Sequence, residues 1–146
     1  MTSITIKSED EMAKFAQDLA KNCQKGDIFA LKGSLGVGKS FLARHFINAL
    51  SITKQNVPSP TFNLVYSYDS KKGAIFHFDL YRLKSADELE NIGFFEALQE
   101  GICLIEWPEI AEEFLPKNHT TISIKNSSNN RAELREVTIL THLKTQ

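Results

Sequence analysis

The sequence lacks the features that mark membrane and secreted proteins. No apolar run is long enough to cross a bilayer, and no secretory signal peptide is recognised. Its 146 residues include only two cysteines, too few for a disulfide-stapled domain. Cys23 and Cys103 fall in apolar segments without metal-ligand spacing, which predicts buried, reduced thiols. We therefore expect a soluble cytoplasmic protein.

The chain also lacks an excess of charge of either sign. Seventeen Lys and Arg residues stand against 18 Asp and Glu residues, for a net charge of −1 and a pI near 6.4. The protein has no overall positive charge that would attract nucleic acid or an anionic membrane. If its function involves RNA, we expect a partner protein to supply the RNA-binding surface. With 42% hydrophobic and 24% charged residues, the chain fits a single compact domain spanning residues 1–146.

What the sequence does contain is a phosphate-binding loop, in which two glycines separated by four residues precede Lys and Ser. The stretch reads Gly33-Ser34-Leu35-Gly36-Val37-Gly38-Lys39-Ser40. Glycine permits the backbone angles that turn successive N–H groups toward phosphate oxygens. The Lys39 ammonium then reaches the β- and γ-phosphates, and the Ser40 hydroxyl is a suitable Mg²⁺ ligand. We predict nucleotide binding here, with Phe41 at the edge of the site.

The flanking segments supply the context that this loop requires. Residues 27–31 form a short apolar run typical of a buried strand. After the loop, Leu42, Phe46, Ala49 and Leu50 recur at helical spacing. Strand, loop and helix in this order, with the positive end of the helix at the loop, predict an α/β nucleotide-binding fold.

The segment before this unit is expected to reach the same site. Ile4 and Ile6 alternate with polar residues, as in an edge strand. Ser8 and Glu11 form a capping box, which predicts the start of a helix. That helix leads into the strand before the phosphate loop, so the turn at Ser8 and Glu9 is expected near the nucleotide base.

Residues 57–62 contain two prolines one residue apart, which hold the backbone extended. One interpretation is a rigid connector. The other is a switch loop in which Thr61 meets the metal or the γ-phosphate, since such loops are ordered by these contacts.

Two acidic residues at the ends of predicted strands are candidate ligands for Mg²⁺. Residues 63–68 and 74–80 alternate as a hairpin around a turn at 69–73, and its second strand ends at Asp79. The apolar run 102–105 is typical of a central parallel strand and ends at Glu106. In parallel sheets, ligands bind at the carboxyl ends of the strands. We assign Glu106 to the metal, because a carboxylate behind a buried strand needs a partner. Asp79 is assigned to water positioning or to the metal's outer shell, with helix capping an equal alternative.

Other polar side chains near these acids are weaker candidates. His77 is expected to be an ordinary packed or surface histidine, and Trp107 to pack in the core rather than against a ligand or partner. Arg82 can contact phosphate, a partner protein or a surface acid.

The rest of the sequence predicts three further helices and two further strands. The expected elements are a helix from Ser85 to about Asn91, a second helical piece between Gly93 and Gly101, a helix at 108–114, and closing strands at 120–125 and 136–142.

Four blocks together give the chain a specific resemblance to the TsaE family, the small bacterial ATPases that assist threonylcarbamoyladenosine (t6A) modification of tRNA. The blocks are residues 33–40, Ser-Pro-Thr-Phe at 59–62, His-Phe-Asp-Leu-Tyr-Arg at 77–82 and Glu-Trp-Pro-Glu at 106–109. Their order and spacing also agree, and the resemblance covers nearly the whole chain.

The resemblance implies a P-loop mixed sheet with flanking helices and a weak, Mg²⁺-dependent ATPase. It also implies docking onto the TsaB–TsaD heterodimer, in which TsaD transfers the carbamoyl group to tRNA. By the same resemblance, Ser40 and Glu106 bind the metal, Asp79 is needed for activity and Thr61 is the switch residue. Ser40 replaces the commoner Thr and keeps the hydroxyl. The closing hairpin carries little of the family's motif content, and we separately expect its Arg131 to lie near the base.

Two other functions also use a phosphate loop. A small-molecule or nucleotide kinase normally carries an arginine-rich lid, and no insertion of that length is present. A GTPase-like switch with negligible turnover normally has an Asn-Lys-x-Asp segment for guanine, and the sequence has none, which favours ATP. No arginine stands out as a finger, so we expect slow turnover that a partner accelerates.

Overall fold

The computed structural model describes residues 1–53, 56–60, 63–127 and 134–141. Strands and helices mostly alternate along these ranges. In chain order they are β1 (Thr2–Ile6), α1 (Glu9–Asn22), β2 (Ile28–Lys32), α2 (Lys39–Leu50), β3 (Val65–Ser70), β4 (Gly73–Asp79), α3 (Glu88–Asn91), α4 (Phe94–Glu100), β5 (Ile102–Glu106), a 3₁₀ helix (Pro108–Phe114), β6 (Thr120–Asn126) and β7 (Arg135–Thr141).

Seven strands of the described chain form one mixed sheet in the order β1-β7-β6-β2-β5-β4-β3. The four central strands β6, β2, β5 and β4 run parallel, and β7 and β3 flank them antiparallel. β1 closes one edge by pairing with β7. The predicted α/β fold with a mixed sheet is therefore confirmed, as is the edge position of the first strand.

Both faces of β2 and β5 are buried, and alternation along β5 divides its residues between two cores. Ile102 and Leu104 join the core that contains residues of α1 and α2. Cys103 and Ile105 join the core that contains residues of α3, α4 and the 3₁₀ helix. The uninterrupted apolar run was correctly predicted to be a central parallel strand.

Local signals in the sequence place the start of α1 correctly. Ser8 caps α1 by accepting a hydrogen bond from the Glu11 backbone N–H at 3.1 Å. The Glu11 carboxylate accepts in return from the Lys7 N–H at 2.8 Å, one residue before the cap. On α2, the predicted apolar face is buried except for Ala49, which is exposed.

Several element bounds differ from prediction. Strands β3 and β4 extend to Ser70 and Gly73, so the hairpin turn is shorter than predicted. Helix α3 is a single turn that begins at Glu88 rather than Ser85, because the Ser85 hydroxyl accepts from the Asp87 N–H within the preceding turn. The helix at 108–114 is of the 3₁₀ type.

Candidate functional site

The phosphate loop connects the carboxyl end of β2 to the first turn of α2. Gly33, Gly36 and Gly38 have φ values of 152°, 81° and 119°, a region that side chains with a Cβ rarely adopt. At Gly33 a Cβ would also lie 2.5 Å from the Ile124 carbonyl oxygen and 2.7 Å from Val37 Cγ2. The loop conformation thus requires glycine at these positions, as the motif predicts.

The first turn of α2 is open to an anion. Gly38 is the N-cap and provides no side chain to accept from the first N–H groups of the helix. Those N–H groups carry the partial positive charge of the helix dipole. This end of the helix is therefore suited to bind phosphate oxygens.

Lys39 is buried and its ammonium is held inside the loop. Nζ donates to the Gly33 carbonyl oxygen at 2.5 Å and lies 3.3 Å from the centre of the Trp107 ring. Burial lowers the pKa of the Lys39 ammonium, and the negative charges of Glu106, Glu109 and Asp79 partly oppose that shift. The positive charge is thus positioned at the loop, covered by an aromatic ring and flanked by acids.

Trp107 has a left-handed backbone, with φ of 55°. Its ring contacts the exposed Tyr81 ring at a centroid distance of 4.7 Å and covers Lys39. It belongs to neither hydrophobic core. The prediction that Trp107 packs in the core is therefore wrong, because the left-handed turn after β5 directs the ring over the phosphate loop.

Ser40 and Glu106, 66 positions apart in sequence, meet directly. The Ser40 hydroxyl donates to Glu106 Oε1 at 2.8 Å and to Oε2 at 3.0 Å. Glu106 is only 2% exposed, and its Oε2 also lies 2.6 Å from His77 Nε2. The parallel pairing of β2 with β5 brings the end of β5 beside the loop, as strand directions predicted.

Asp79 lies next to Glu106 in the register of β4 and β5. It is buried, and its Oδ1 accepts a hydrogen bond from the Tyr81 N–H at 3.0 Å. The Leu80 N–H donates to the Glu106 carbonyl at 3.1 Å, which ties the two strand ends together. The structure thus brings both predicted acids to one edge of the sheet.

A cavity of about 420 Å³ opens beside the loop, within the usual size range of small-molecule sites. Its lining residues are Ile6, Ser8, Glu9, Met12, Gly36, Val37, Gly38, Phe41 and Arg135. The Ser8–Glu9 turn thus lies beside the phosphate loop, where we predicted the nucleotide base, and Phe41 shares the cavity. Arg135 donates from Nε to the Val37 carbonyl at 2.9 Å.

Two predicted site residues, Thr61 and Arg131, lie outside the described residues. The geometry adds three that the sequence reasoning did not assign to the site: His77, Trp107 and Arg135. The signal for His77 was its position in β4, two residues before Asp79 and therefore on the same face. For Trp107 it was adjacency to Glu106, whereas nothing local to Arg135 pointed to the loop. Arg82 is exposed beside Tyr81.

The oxygen atoms of Ser40 and Glu106 fit a magnesium ion. Mg²⁺ in phosphate sites takes one or two protein oxygens and completes its shell with waters and phosphates. Across the ranges that the structure describes, no group of three His, Cys, Asp or Glu side chains is arranged to hold a metal. A dedicated all-protein cage is therefore absent from those ranges, whereas a hydroxyl–carboxylate pair beside a phosphate cradle is present.

Comparison with known proteins gives a consistent result. The family model described as "Threonylcarbamoyl adenosine biosynthesis protein TsaE" matches residues 6–136. A Rickettsia conorii protein named "tRNA threonylcarbamoyladenosine biosynthesis protein TsaE" is 39% identical over 127 residues, covering 87% of this chain and 73% of the relative. Proteins of that name from Bacillus subtilis and Haemophilus influenzae are 34% and 37% identical, covering 89% and 85% of this chain and 80% and 83% of theirs.

A solved structure has the same architecture. The crystal structure of the Bacillus subtilis protein YdiB is similar with a TM-score of 0.74 and 29% identity, covering 97% of this chain and 85% of that one. None of the helices in the described ranges combines the length and apolar character that a bilayer crossing requires.

Proposed function

This chain belongs to the TsaE family of t6A biosynthesis proteins, and from that premise we propose that it is a Mg²⁺-dependent ATP-binding protein and slow ATPase acting on the TsaB–TsaD heterodimer. Its role lies in t6A formation on tRNA. In this proposal the protein works in the cytoplasm and meets tRNA only through the complex.

One observation carries the proposal: three groups that serve a nucleoside triphosphate converge at one strand–loop–helix junction. The loop glycines open a cradle of N–H groups, Lys39 holds a charge inside it, and Ser40 bonds Glu106 at its rim. Each group occurs in other folds for other reasons. Their combination, with Ser40 and Glu106 lying 66 positions apart in sequence, supports a triphosphate site that includes a metal.

The chain's own residues divide the work of binding and orientation. Lys39 exchanges the Gly33 carbonyl for β- and γ-phosphate oxygens, and the N–H groups of the first turn of α2 bind the same phosphates. Ser40 and Glu106 are the residues that would hold Mg²⁺, which when bound supplies Lewis-acid charge at the β/γ-oxygens. These fixed donors stabilise the charge that develops in the transition state.

Asp79 and Thr61 are the proposed residues for orienting the attacking water. Asp79 lies buried beside Glu106 at the strand end, which suits either that task or the outer shell of the metal. Adenine is the proposed base, bound in the cavity beside Glu9 and Phe41. With no arginine assigned as a finger, which contributes on the order of a thousandfold or more, turnover of the isolated protein is slow.

The test measures ATP binding, ATP hydrolysis and t6A formation with and without the TsaB–TsaD pair. Wild type is expected to bind ATP in a Mg²⁺-dependent manner and to hydrolyse it faster with the pair. Lys39→Ala is expected to lose hydrolysis and t6A support, whereas Lys117→Ala, at an exposed position, retains both. Absence of Mg²⁺-dependent ATP binding by wild type would refute the nucleotide proposal. Rapid hydrolysis that the pair does not change would refute the coupling.

A further inference from the structure

We propose that His77 is a positioning residue that holds the Glu106 carboxylate in its metal-binding orientation. The inference rests on the proposed Mg²⁺–nucleotide site and adds a residue to it. In this arrangement His77 anchors Oε2, and Glu106 presents Oε1 toward Ser40.

The fold places His77 under the site. In β4, His77 lies between Ile75 and Asp79 on one face of the sheet, and Ile75 belongs to the core beneath α1 and α2. In β5, Glu106 follows Leu104 on the same face. The two side chains thus meet below the first turn of α2, with Nε2 and Oε2 2.6 Å apart and side-chain exposures of 1% and 3%.

The chemistry of the contact sets the proton position. An ionised carboxylate only accepts hydrogen bonds, so Nε2 must carry the hydrogen. The other ring nitrogen, Nδ1, is buried and has no hydrogen-bond partner among the described residues. The contact with Glu106 is thus the one hydrogen bond that His77 makes through its ring there. A residue selected only to fill this space would be apolar, because burying an imidazole with an unpaired nitrogen costs free energy.

Glu106 has hydrogen bonds with Ser40 and with His77, and a bound metal would affect the two differently. Ser40 is itself a proposed metal ligand, so a bound metal would share its hydroxyl with Glu106. The His77 bond comes from inside the sheet and has no competing partner, so Oε2 stays anchored while Oε1 is free to bind. Partners of this kind, behind a metal ligand, typically account for about 10- to 100-fold in metal affinity.

The experiment compares His77→Leu with His77→Gln. Leucine fills the space without a donor, whereas the glutamine amide places an N–H near the position of Nε2. The readout is binding of a fluorescent ADP analogue during a Mg²⁺ titration, with a parallel measurement in EDTA. His77→Leu is expected to raise the Mg²⁺ concentration at half-maximal binding about tenfold. His77→Gln is expected to restore most of that loss, and binding in EDTA should be unchanged in both.

A double-mutant cycle tests whether His77 acts through Glu106. In the Glu106→Gln background, His77→Leu is expected to have no further effect on the Mg²⁺ midpoint. Ile75→Val, on the same strand and face, controls for packing and should lower thermal stability without moving the midpoint. If His77→Leu does not fold, His77→Asn replaces it, because the shorter amide cannot reach Glu106.

Two results would overturn the inference while leaving the nucleotide site intact. One is a Mg²⁺ midpoint that stays at the wild-type value in His77→Leu despite lower thermal stability, which would mean packing alone. The other is an undiminished His77→Leu effect in the Glu106→Gln background. Wild type that binds the analogue without regard to Mg²⁺ would instead refute the proposed function.

Discussion

Among the residues of the loop, Lys39 shows how the site is organised before any ligand binds. Its ammonium is satisfied by the Gly33 carbonyl and the Trp107 ring, and it is buried together with Glu106 and Asp79. In the proposed nucleotide complex, a phosphate would therefore replace an existing partner of Lys39 rather than order a free side chain. Preorganisation of this kind reduces the entropy lost on binding.

Gly33 is the loop position where substitution should do most damage. Gly33→Ala would place a Cβ against the Ile124 carbonyl and Val37 in a backbone conformation that alanine rarely adopts. We expect a loss of about 1–3 kcal/mol in the free energy of unfolding, measured by urea titration, together with weaker nucleotide binding. Gly26→Ala is the control, because φ there is 93° but the added Cβ has open space. Equal losses in the two variants would contradict a steric role for Ile124.

Cys103 should make the stability of the fold depend on pH in the alkaline range. Burial raises the pKa of its thiol from 9.0 to about 12. The native thiol keeps its proton where the unfolded thiol loses it, so its contribution to stability is complete below pH 9 and is lost between pH 9 and about 12. At pH 10, wild type should have lost about 1 kcal/mol more than Cys103→Ala. Urea unfolding at pH 8 and pH 10 measures this difference, and identical pH profiles would contradict it.

The sequence predicted which residues belong to the site better than it predicted which of them contact one another. The motif named Lys39 and Ser40, and the buried run before Glu106 predicted that its carboxylate needs a partner. His77 was not predicted to be the partner of Glu106, because alternation along β4 shows which face of the sheet His77 occupies but not which residues of the neighbouring strand lie beside it. The register of β4 and β5 places Leu104 opposite His77, and Glu106 lies two residues further along the same face, from where its carboxylate reaches the ring.

A side-chain contact joins the β3–β4 hairpin to the end of α1, and no local sequence pattern predicts it. Lys72, in the β3–β4 turn, donates from Nζ to the carbonyls of Ala20, Lys21 and Cys23 at 3.0, 2.8 and 2.5 Å. These carbonyls lie at the end of α1, where the helix leaves its acceptors unpaired and its dipole is negative. The hairpin thus caps a helix about 50 residues earlier in the chain.

Loss of this cap should destabilise the fold without touching the loop. Lys72→Met keeps the aliphatic stem and removes the donors, and we expect a loss of about 1–2 kcal/mol in the free energy of unfolding. Lys71→Met is the matched control, since Lys71 is the exposed neighbour in the same turn. Chemical denaturation of both variants measures the effect. If both lose the same amount, the cap does not contribute.

Elements with strong periodicity or caps were predicted nearly to the residue, as α1 and β5 show. The start of the short helix α3 was not. The predicted helix from Ser85 is only one turn at Glu88–Asn91, because Ser85 and the Glu88 carboxylate satisfy N–H groups of the preceding turn. Such competition between side chain and helix backbone depends on geometry that spacing alone does not contain.

Across the whole molecule, β5 links the two cores, because alternate residues belong to each. Leu104→Ala and Ile105→Ala should each lower the free energy of unfolding by about 2–5 kcal/mol, since both side chains are fully buried. Each variant should unfold in one transition, with coincident curves by far-UV circular dichroism and by fluorescence of the single tryptophan. Separate transitions for the two probes would show that the faces of the sheet unfold independently.

The sequence predicted the parallel centre and the antiparallel hairpins of this sheet but not the order of its strands. Alternation and apolar runs identify each strand, yet they carry no information about which distant strand lies beside it. The neighbours of β2, for example, are β5 and β6, which follow it by more than 60 residues. These pairings come from packing of the whole chain.

The pairing of β1 with β7 has a consequence for how the protein is made. On the ribosome, the phosphate loop is synthesised before β6 and β7. Gly33 of this loop lies against the Ile124 carbonyl of β6, and β6 is in turn paired with β7. Thr2 of β1 pairs with Ile139 of β7, so β1 gains its neighbour in the sheet only after β7 has been synthesised. The growing polypeptide therefore exposes the glycine loop without the strands that shape it. The proposed nucleotide site is therefore complete only after β6 and β7 have been synthesised.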